Sequence, residues 1–210
     1  MKKITLIIGL FLVPGFSYAD SHKKGPDHSN MGKGSYITYE IGDNEWDSGV
    51  SDVVGASLDE DDTSWALIWG KHLSPNLDLE LGYIDYGEAS LSGVSGNTFK
   101  FEGSTYTFNA TATAMLEGDA WILGIKPKMS ISDTVDVFAR VGINMWDSTL
   151  RISSATASAD VSDDGSDLYY GFGLSGTFDN FIFSFSHTRY EFDQEDVDSN
   201  GLAISYRLNF

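Results

Sequence analysis

The chain has 210 residues, of which 41% are hydrophobic and 13% aromatic, with 31 acidic against 13 basic side chains and no cysteine. This composition excludes a disordered polyanion and any disulfide or thiolate chemistry. The formal charge of −18 argues against nucleic acid as a partner, since binding it depends on Lys and Arg. The mean hydropathy of −0.16 excludes a bundle of membrane helices but allows a membrane barrel, whose strands are apolar on one face.

The N-terminus has the pattern of a secretory signal. Two lysines precede an apolar run over residues 4–13, and Ala19 closes a small-x-small cleavage site. The run is too short for a membrane anchor. We therefore predict a cleaved signal peptide over residues 1–19, a flexible leader over residues 20–33 and one barrel domain over residues 34–210.

After the leader, apolar and polar side chains alternate with the period of two that is typical of strands. In residues 77–83, leucines and a tyrosine share one face, while Asp78, Glu80 and Gly82 share the other. Eight segments show this alternation, at residues 37–41, 65–69, 77–83, 121–125, 135–145, 168–175, 181–185 and 202–210. The sequence therefore predicts eight strands.

The predicted connections alternate between short and long. Turn sequences at residues 74–76, 130–133 and 179–180 alternate with long polar segments at residues 43–63, 88–110 and 153–163. Short turns at one end and long loops at the other are typical of outer-membrane barrels.

Bulky side chains on one strand face and aromatic residues near strand ends favour this barrel over a soluble sandwich. The expected aromatic girdle consists of Trp65, Trp69, Tyr83, Trp121 and Phe210. We predict an all-β fold, an eight-stranded antiparallel transmembrane β-barrel with short periplasmic turns and long extracellular loops.

The last strand carries Tyr206 and ends in Phe210. This ending resembles the C-terminal signal by which Gram-negative outer-membrane barrels are recognised for assembly. With the sequence LELGYIDYG at residues 79–87, the chain resembles the eight-stranded transmembrane domain of the OmpA family and its small single-domain relatives. The resemblance covers residues 34–210, and we expect no peptidoglycan-binding domain after the barrel.

The resemblance implies a place in the outer membrane of a Gram-negative bacterium. We expect a monomer that contacts membrane lipid and lipopolysaccharide and is inserted by the barrel-assembly machinery.

The polar face of each strand is expected to line the lumen. On this register it carries a lumen charge network of six residues, namely Glu40, Glu80, Lys126, Asp136, Arg140 and Arg207. The interior of an eight-stranded barrel is just wide enough for side chains to fill, so acids and bases should pair there. The family resemblance implies a gate at an interior glutamate, here Glu80 with Arg140 or Lys126. A fully paired network without gating is the favoured interpretation.

Acidic residues concentrate in the first and last loops. The run formed by Asp59, Glu60, Asp61 and Asp62 offers oxygen ligands to a divalent cation, although its spacing fits no calcium-binding loop. We expect solvated acidic loops, suited to cations that bridge lipopolysaccharide, rather than a defined metal site. No cofactor is expected.

A catalytic role has little support in the sequence. His187 lies near Ser186, Thr188 and the acid Glu191, but neighbours in a strand point to opposite faces, so His187 cannot easily activate Ser186. The His-x-Ser-Asn pattern of lipid-A deacylases is absent, and His72 is expected at the membrane interface. We predict a non-enzymatic protein of structural or surface-interaction type, with a narrow gated channel for ions or small solutes as the alternative and a lipid-A modifying enzyme third.

Overall fold

A computed structural model describes residues 34–193 and 195–208. The predicted signal peptide and leader, and the predicted assembly residue Phe210, lie outside the described residues. No helix in the described part of the chain is long and apolar enough to cross a membrane.

The described residues form twelve strands. Their bounds are β1 Ser35–Asp47, β2 Val50–Val54, β3 Ser57–Asp59, β4 Asp61–Ser74, β5 Leu77–Gly93, β6 Thr98–Phe101, β7 Ser104–Thr107, β8 Ala112–Ser130, β9 Val135–Ser154, β10 Ser158–Phe178, β11 Phe181–Glu191 and β12 Asp196–Leu208. Eight of these strands close an antiparallel barrel in the order β1, β4, β5, β8, β9, β10, β11, β12 and back to β1. The prediction of an eight-stranded antiparallel barrel is confirmed.

Apolar side chains of the barrel point outward. On β1, Ile37, Tyr39 and Ile41 are each nearly half exposed, whereas the alternating Thr38 and Glu40 are buried. An apolar band of this extent is unstable in water and is matched by the hydrocarbon of a bilayer. At the outer edge of the band, Trp65, Tyr83 and Trp121 form part of an aromatic girdle, with neighbouring ring centroids 5.7 and 5.6 Å apart.

The three short turns lie at one end of the barrel, as predicted, but the long loops are shorter than the sequence indicated. β1 continues to Asp47, β5 to Gly93, and the hairpin of β9 and β10 extends until only residues 155–157 connect them. Beyond the membrane a strand no longer needs an apolar outer face, so the alternation that marks the other strands disappears.

The outer end of the barrel also contains four short strands that the sequence analysis did not predict. β2, β6 and β7 form a separate sheet, and β3 pairs with the far end of β5. This sheet stands opposite the wall formed by the extended parts of β5, β8, β9 and β10, and the two enclose a cleft.

Candidate functional site

Four charged side chains from four strands meet inside the barrel. Arg140 on β9 donates from Nη1 to Oε2 of Glu40 on β1 at 2.9 Å, and its Nε lies 3.3 Å from Oε2 of Glu80 on β5. Lys126 on β8 places Nζ 3.4 Å from Oε1 of Glu80 and 4.2 Å from the ring centroid of Phe138. All four are buried, and two acids balance two bases. Mutual pairing offsets the desolvation cost of each ion.

A second group of ionisable side chains lies nearer the short turns and was missed in the sequence analysis. Asp78, two residues before Glu80 on β5, has Oδ1 2.7 Å from Nδ1 of His72 and accepts hydrogen bonds from Lys128 Nζ at 2.9 and 2.8 Å. Tyr36 links the two groups, since its hydroxyl donates to Oε1 of Glu80 at 2.7 Å and lies 3.3 Å from Oδ2 of Asp78. His72, expected at the membrane interface, therefore points into the lumen.

The other two residues expected in the lumen network lie apart from it. Asp136 accepts a hydrogen bond from the hydroxyl of Ser130 at 2.6 Å, close to a short turn. Arg207 donates from Nη2 to the hydroxyl of Thr177 at 3.3 Å. Within the described part of the chain, neither forms an ion pair with Glu40, Glu80, Lys126 or Arg140. The structure thus brings together four of the six residues.

An aromatic layer covers the charged group on its outer side. Trp46, Tyr86 and Trp146 each lie six residues beyond Glu40, Glu80 and Arg140 on the same strands. The ring of Phe192, which follows β11, has its centroid 5.6, 5.2 and 5.3 Å from those three rings. All four side chains are buried. The lumen is therefore filled by two successive layers, one ionic and one aromatic.

Gly70 on β4 makes room for the tyrosine that joins the ionic groups. Gly70 pairs directly with Tyr36 on β1 and with Glu80 on β5. A Cβ atom at Gly70 would overlap the ring of Tyr36. The absence of a side chain here lets the ring lie flat across β4 and reach Glu80.

Four outward-facing aspartates form a row just beyond the apolar band. Asp85, Asp119, Asp147 and Asp164 are directly paired from strand to strand on β5, β8, β9 and β10. Like charges in directly opposed positions of a sheet repel each other.

The four acidic residues predicted as a possible cation-binding run do not point toward a common site. Asp59 and Asp61 are exposed, whereas Glu60 accepts hydrogen bonds from the backbone and side chain of Ser48, and Asp62 accepts one from the backbone of Glu88. Strand alternation thus sends neighbouring carboxylates to different surroundings. Across residues 34–193 and 195–208, no group of three or more carboxylates and histidines is arranged to hold a metal ion.

The histidine considered for catalysis lies near a carboxylate, with its Nε2 3.9 Å from Oδ1 of Asp198, but on the other face of the wall from the adjacent hydroxyls. His187 is 3.1 Å from the amide oxygen of Asn200 and lies on the outer face, 5.7 Å from the ring centroid of Phe172. Ser186 and Thr188 are buried on the luminal face. His187 and the adjacent hydroxyls therefore lie on opposite faces of the barrel wall.

Tyr206, predicted as part of the assembly signal, lies on the outer face of β12. It is 46% exposed and packs against Phe181 at a centroid distance of 5.3 Å.

Comparisons with known proteins identify the type of barrel. The family model of the OmpA-like transmembrane domain matches residues 33–180. A search of curated proteins found no match to the sequence.

Several solved outer-membrane barrels share the fold. The attachment invasion locus protein Ail of Yersinia pestis, solved with the heparin analogue sucrose octasulfate, is 15% identical with a TM-score of 0.54, over 84% of this chain and 99% of Ail. OprG of Pseudomonas aeruginosa is 13% identical with a TM-score of 0.52, over 85% and 97%. The N-terminal barrel domain of Pseudomonas aeruginosa OprF is 13% identical with a TM-score of 0.50, over 84% and 99%. At these identities the similarity concerns the fold.

Proposed function

The chain belongs to the family of OmpA-like transmembrane domains, and we propose that its barrel is a sealed anchor whose acidic outer end interacts with cationic partners outside the cell. The protein lies in the outer membrane of a Gram-negative bacterium, like the barrels that share its fold. Lipid around the apolar band, lipopolysaccharide and the barrel-assembly machinery are its proposed partners in that membrane. We propose that it acts as a monomer and not as an enzyme.

The distribution of charge is the observation that carries this proposal. Inside the barrel, Glu40 and Glu80 are balanced by Lys126 and Arg140. The outer end, defined as residues 43–63, 85–119, 147–167 and 189–198, carries 23 acidic and 3 basic side chains. A paired, neutral and filled lumen supports a structural role for the barrel, and a strongly negative outer end attracts cations at long range.

A narrow gated channel is the second candidate function. Its support is the ionic layer itself, because rearrangement of Arg140 between Glu40 and Glu80 would alter how tightly the lumen is filled. The aromatic layer around Phe192 weighs against this candidate, since ions would have to pass a second barrier with few polar groups.

Binding of polyelectrolytes of either sign to the protein in lipid nanodiscs tests the proposed surface role. We expect a short cationic peptide of lysines to bind, with an affinity that falls steeply as salt is raised. We expect no binding of sucrose octasulfate, the anion present in the Ail structure, because the outer end of this chain repels it. Binding of the anion, or cation binding that is independent of salt, would contradict the proposal.

A further inference from the structure

The cleft at the outer end has the size and lining of a site for a small organic molecule. Its volume is about 460 Å³, within the range of roughly 300–1,000 Å³ that is usual for small-molecule sites. One wall consists of inward-facing aliphatic side chains of the extended barrel strands, including Leu91, Leu116 and Leu150. Phe99 and Phe101 of β6 form the opposite wall.

The cleft is closed on its inner side by the aromatic layer of the lumen. Trp146 belongs both to that layer and to the lining of the cleft. A ligand entering from outside would therefore stop at this ring, above the charged group. The cleft is therefore separated from the ionic layer by the aromatic layer of the lumen.

The carboxylates that line the cleft favour a ligand that carries a positive charge. Asp163 of β10, together with Asp193 and Glu195 from the connection between β11 and β12, lie on one side of the apolar space. Burial, and the negative charges of Asp163 and Asp193, raise the pKa of the Glu195 carboxyl. An added cation would relieve this repulsion, whereas an added anion would increase it.

We propose that this cleft binds a small organic cation, with an apolar body between the aliphatic wall and Phe99 and Phe101 and an ammonium group beside Asp163 and Glu195. The apolar body gains from leaving water, and the ammonium group gains charge-assisted hydrogen bonds to the carboxylates. The choice of an ammonium ion follows from the acidic side of the cleft, since a purely apolar ligand would need no carboxylates there.

Three ligands with the same body and different head groups test this proposal, namely 4-phenylbutylammonium, 4-phenylbutanol and 4-phenylbutyrate. Each is titrated by calorimetry into the full mature chain in nanodiscs, with empty nanodiscs as the control for partition into lipid. We expect saturable one-to-one binding of the ammonium ion, about tenfold tighter than that of the alcohol, and no binding of the carboxylate.

Matched variants locate the site. Glu195→Gln should weaken binding of the ammonium ion about tenfold and leave binding of the alcohol unchanged. Asp164→Asn makes the same change of charge one residue from Asp163 but on the outward face, and should have no effect. Ala114→Phe fills part of the cleft and should abolish binding of both ligands, with folding verified by heat-shifted electrophoretic mobility.

Equal binding of the three head groups, equal uptake by empty nanodiscs, or unchanged binding in Ala114→Phe would overturn the proposal. The test of this ligand site is independent of the test of the proposed sealed anchor. Conduction through the lumen would contradict the anchor and leave the ligand measurements unaffected.

Discussion

Arg140 and Glu40, 100 residues apart in the chain, form a buried hydrogen-bonded ion pair of 2.9 Å inside the barrel. They lie on β9 and β1, which are not neighbours in the barrel. The pair therefore connects opposite parts of the wall across the lumen, and Glu80 on β5 lies against the same guanidinium group. Neutralising one member should affect the whole layer.

Arg140→Met should lower the free energy of unfolding by about 3–5 kcal/mol, because it leaves Glu40 and Glu80 buried with one base instead of two. The measurement is denaturant unfolding in lipid vesicles, followed by tryptophan fluorescence. In the Arg140→Met background, the further change Glu40→Gln should recover part of the loss. A single variant as stable as the wild type would show that the layer contributes little.

Gly70→Ala should lower the free energy of unfolding by about 1–3 kcal/mol or more, because the added methyl group displaces the Tyr36 ring from β4. Gly176→Ala is the matched control, since a Cβ atom there meets no atom of the described residues within 4 Å. The stability of the two variants is compared by the temperature at which the band of folded protein disappears in electrophoresis. Equal shifts for both variants would argue that the packing of Tyr36 is unimportant.

Asp147→Asn should stabilise the barrel by about 0.2–1 kcal/mol at low salt, because Asp147 is directly opposed to both Asp119 and Asp164. The gain should vanish at about 1 M salt, where the screening length is only about 3 Å. Unfolding at several salt concentrations checks both expectations. A gain that persists at high salt would mean that charge repulsion is not its cause.

Acidification should weaken binding of 4-phenylbutylammonium, starting above the pH range in which an ordinary glutamate titrates. The reason is that the raised pKa of Glu195 makes this carboxyl take up its proton early. For stability the sign is opposite: the folded state binds more protons than the unfolded state, so the contribution of Glu195 to stability increases as pH falls through this window.

Titrations at several pH values measure the effect, and Glu195→Gln removes the group responsible. In that variant the weakening that begins above the ordinary glutamate range should disappear, because the carboxyl whose pKa is raised has been replaced by an amide. An identical pH profile in wild type and variant would refute the assignment.

Replacing residues 94–111 with Asn-Gly should leave the barrel folded and remove the ligand site. Gly93 and Ala112 are directly paired on β5 and β8, so a two-residue turn can connect them. The deleted segment contains β6, which supplies Phe99 and Phe101 to the cleft. Heat-shifted electrophoretic mobility tests whether the barrel still folds, and ligand calorimetry tests whether binding is lost. Retained binding would place the ligand site elsewhere.

The barrel could be predicted from the sequence because lipid imposes a strict alternation on every membrane-spanning strand. Residues such as Leu79 and Leu81 face lipid, which fixes Glu80 between them on the luminal face. The partners of Asp78 were missed because His72 was assigned to the membrane interface, although it lies directly opposite Asp78 across the short turn between β4 and β5. Lys128 lies at the end of β8, beyond the alternating segment from which the lumen face was derived. The cleft was also missed. Its walls come from segments that are distant in the chain, and beyond the membrane these strands lack the apolar outer face whose alternation marks a strand in the sequence.

Single-channel conductance of residues 20–210, refolded into planar bilayers, tests the sealed anchor most directly. We predict no discrete current steps for the wild type, because the paired ionic layer and the aromatic layer around Phe192 both fill the lumen. Folding of the same preparation is verified by heat-shifted mobility. Reproducible steps in the wild type, altered in size or frequency by Arg140→Ala, would contradict the sealed anchor and establish a gated channel.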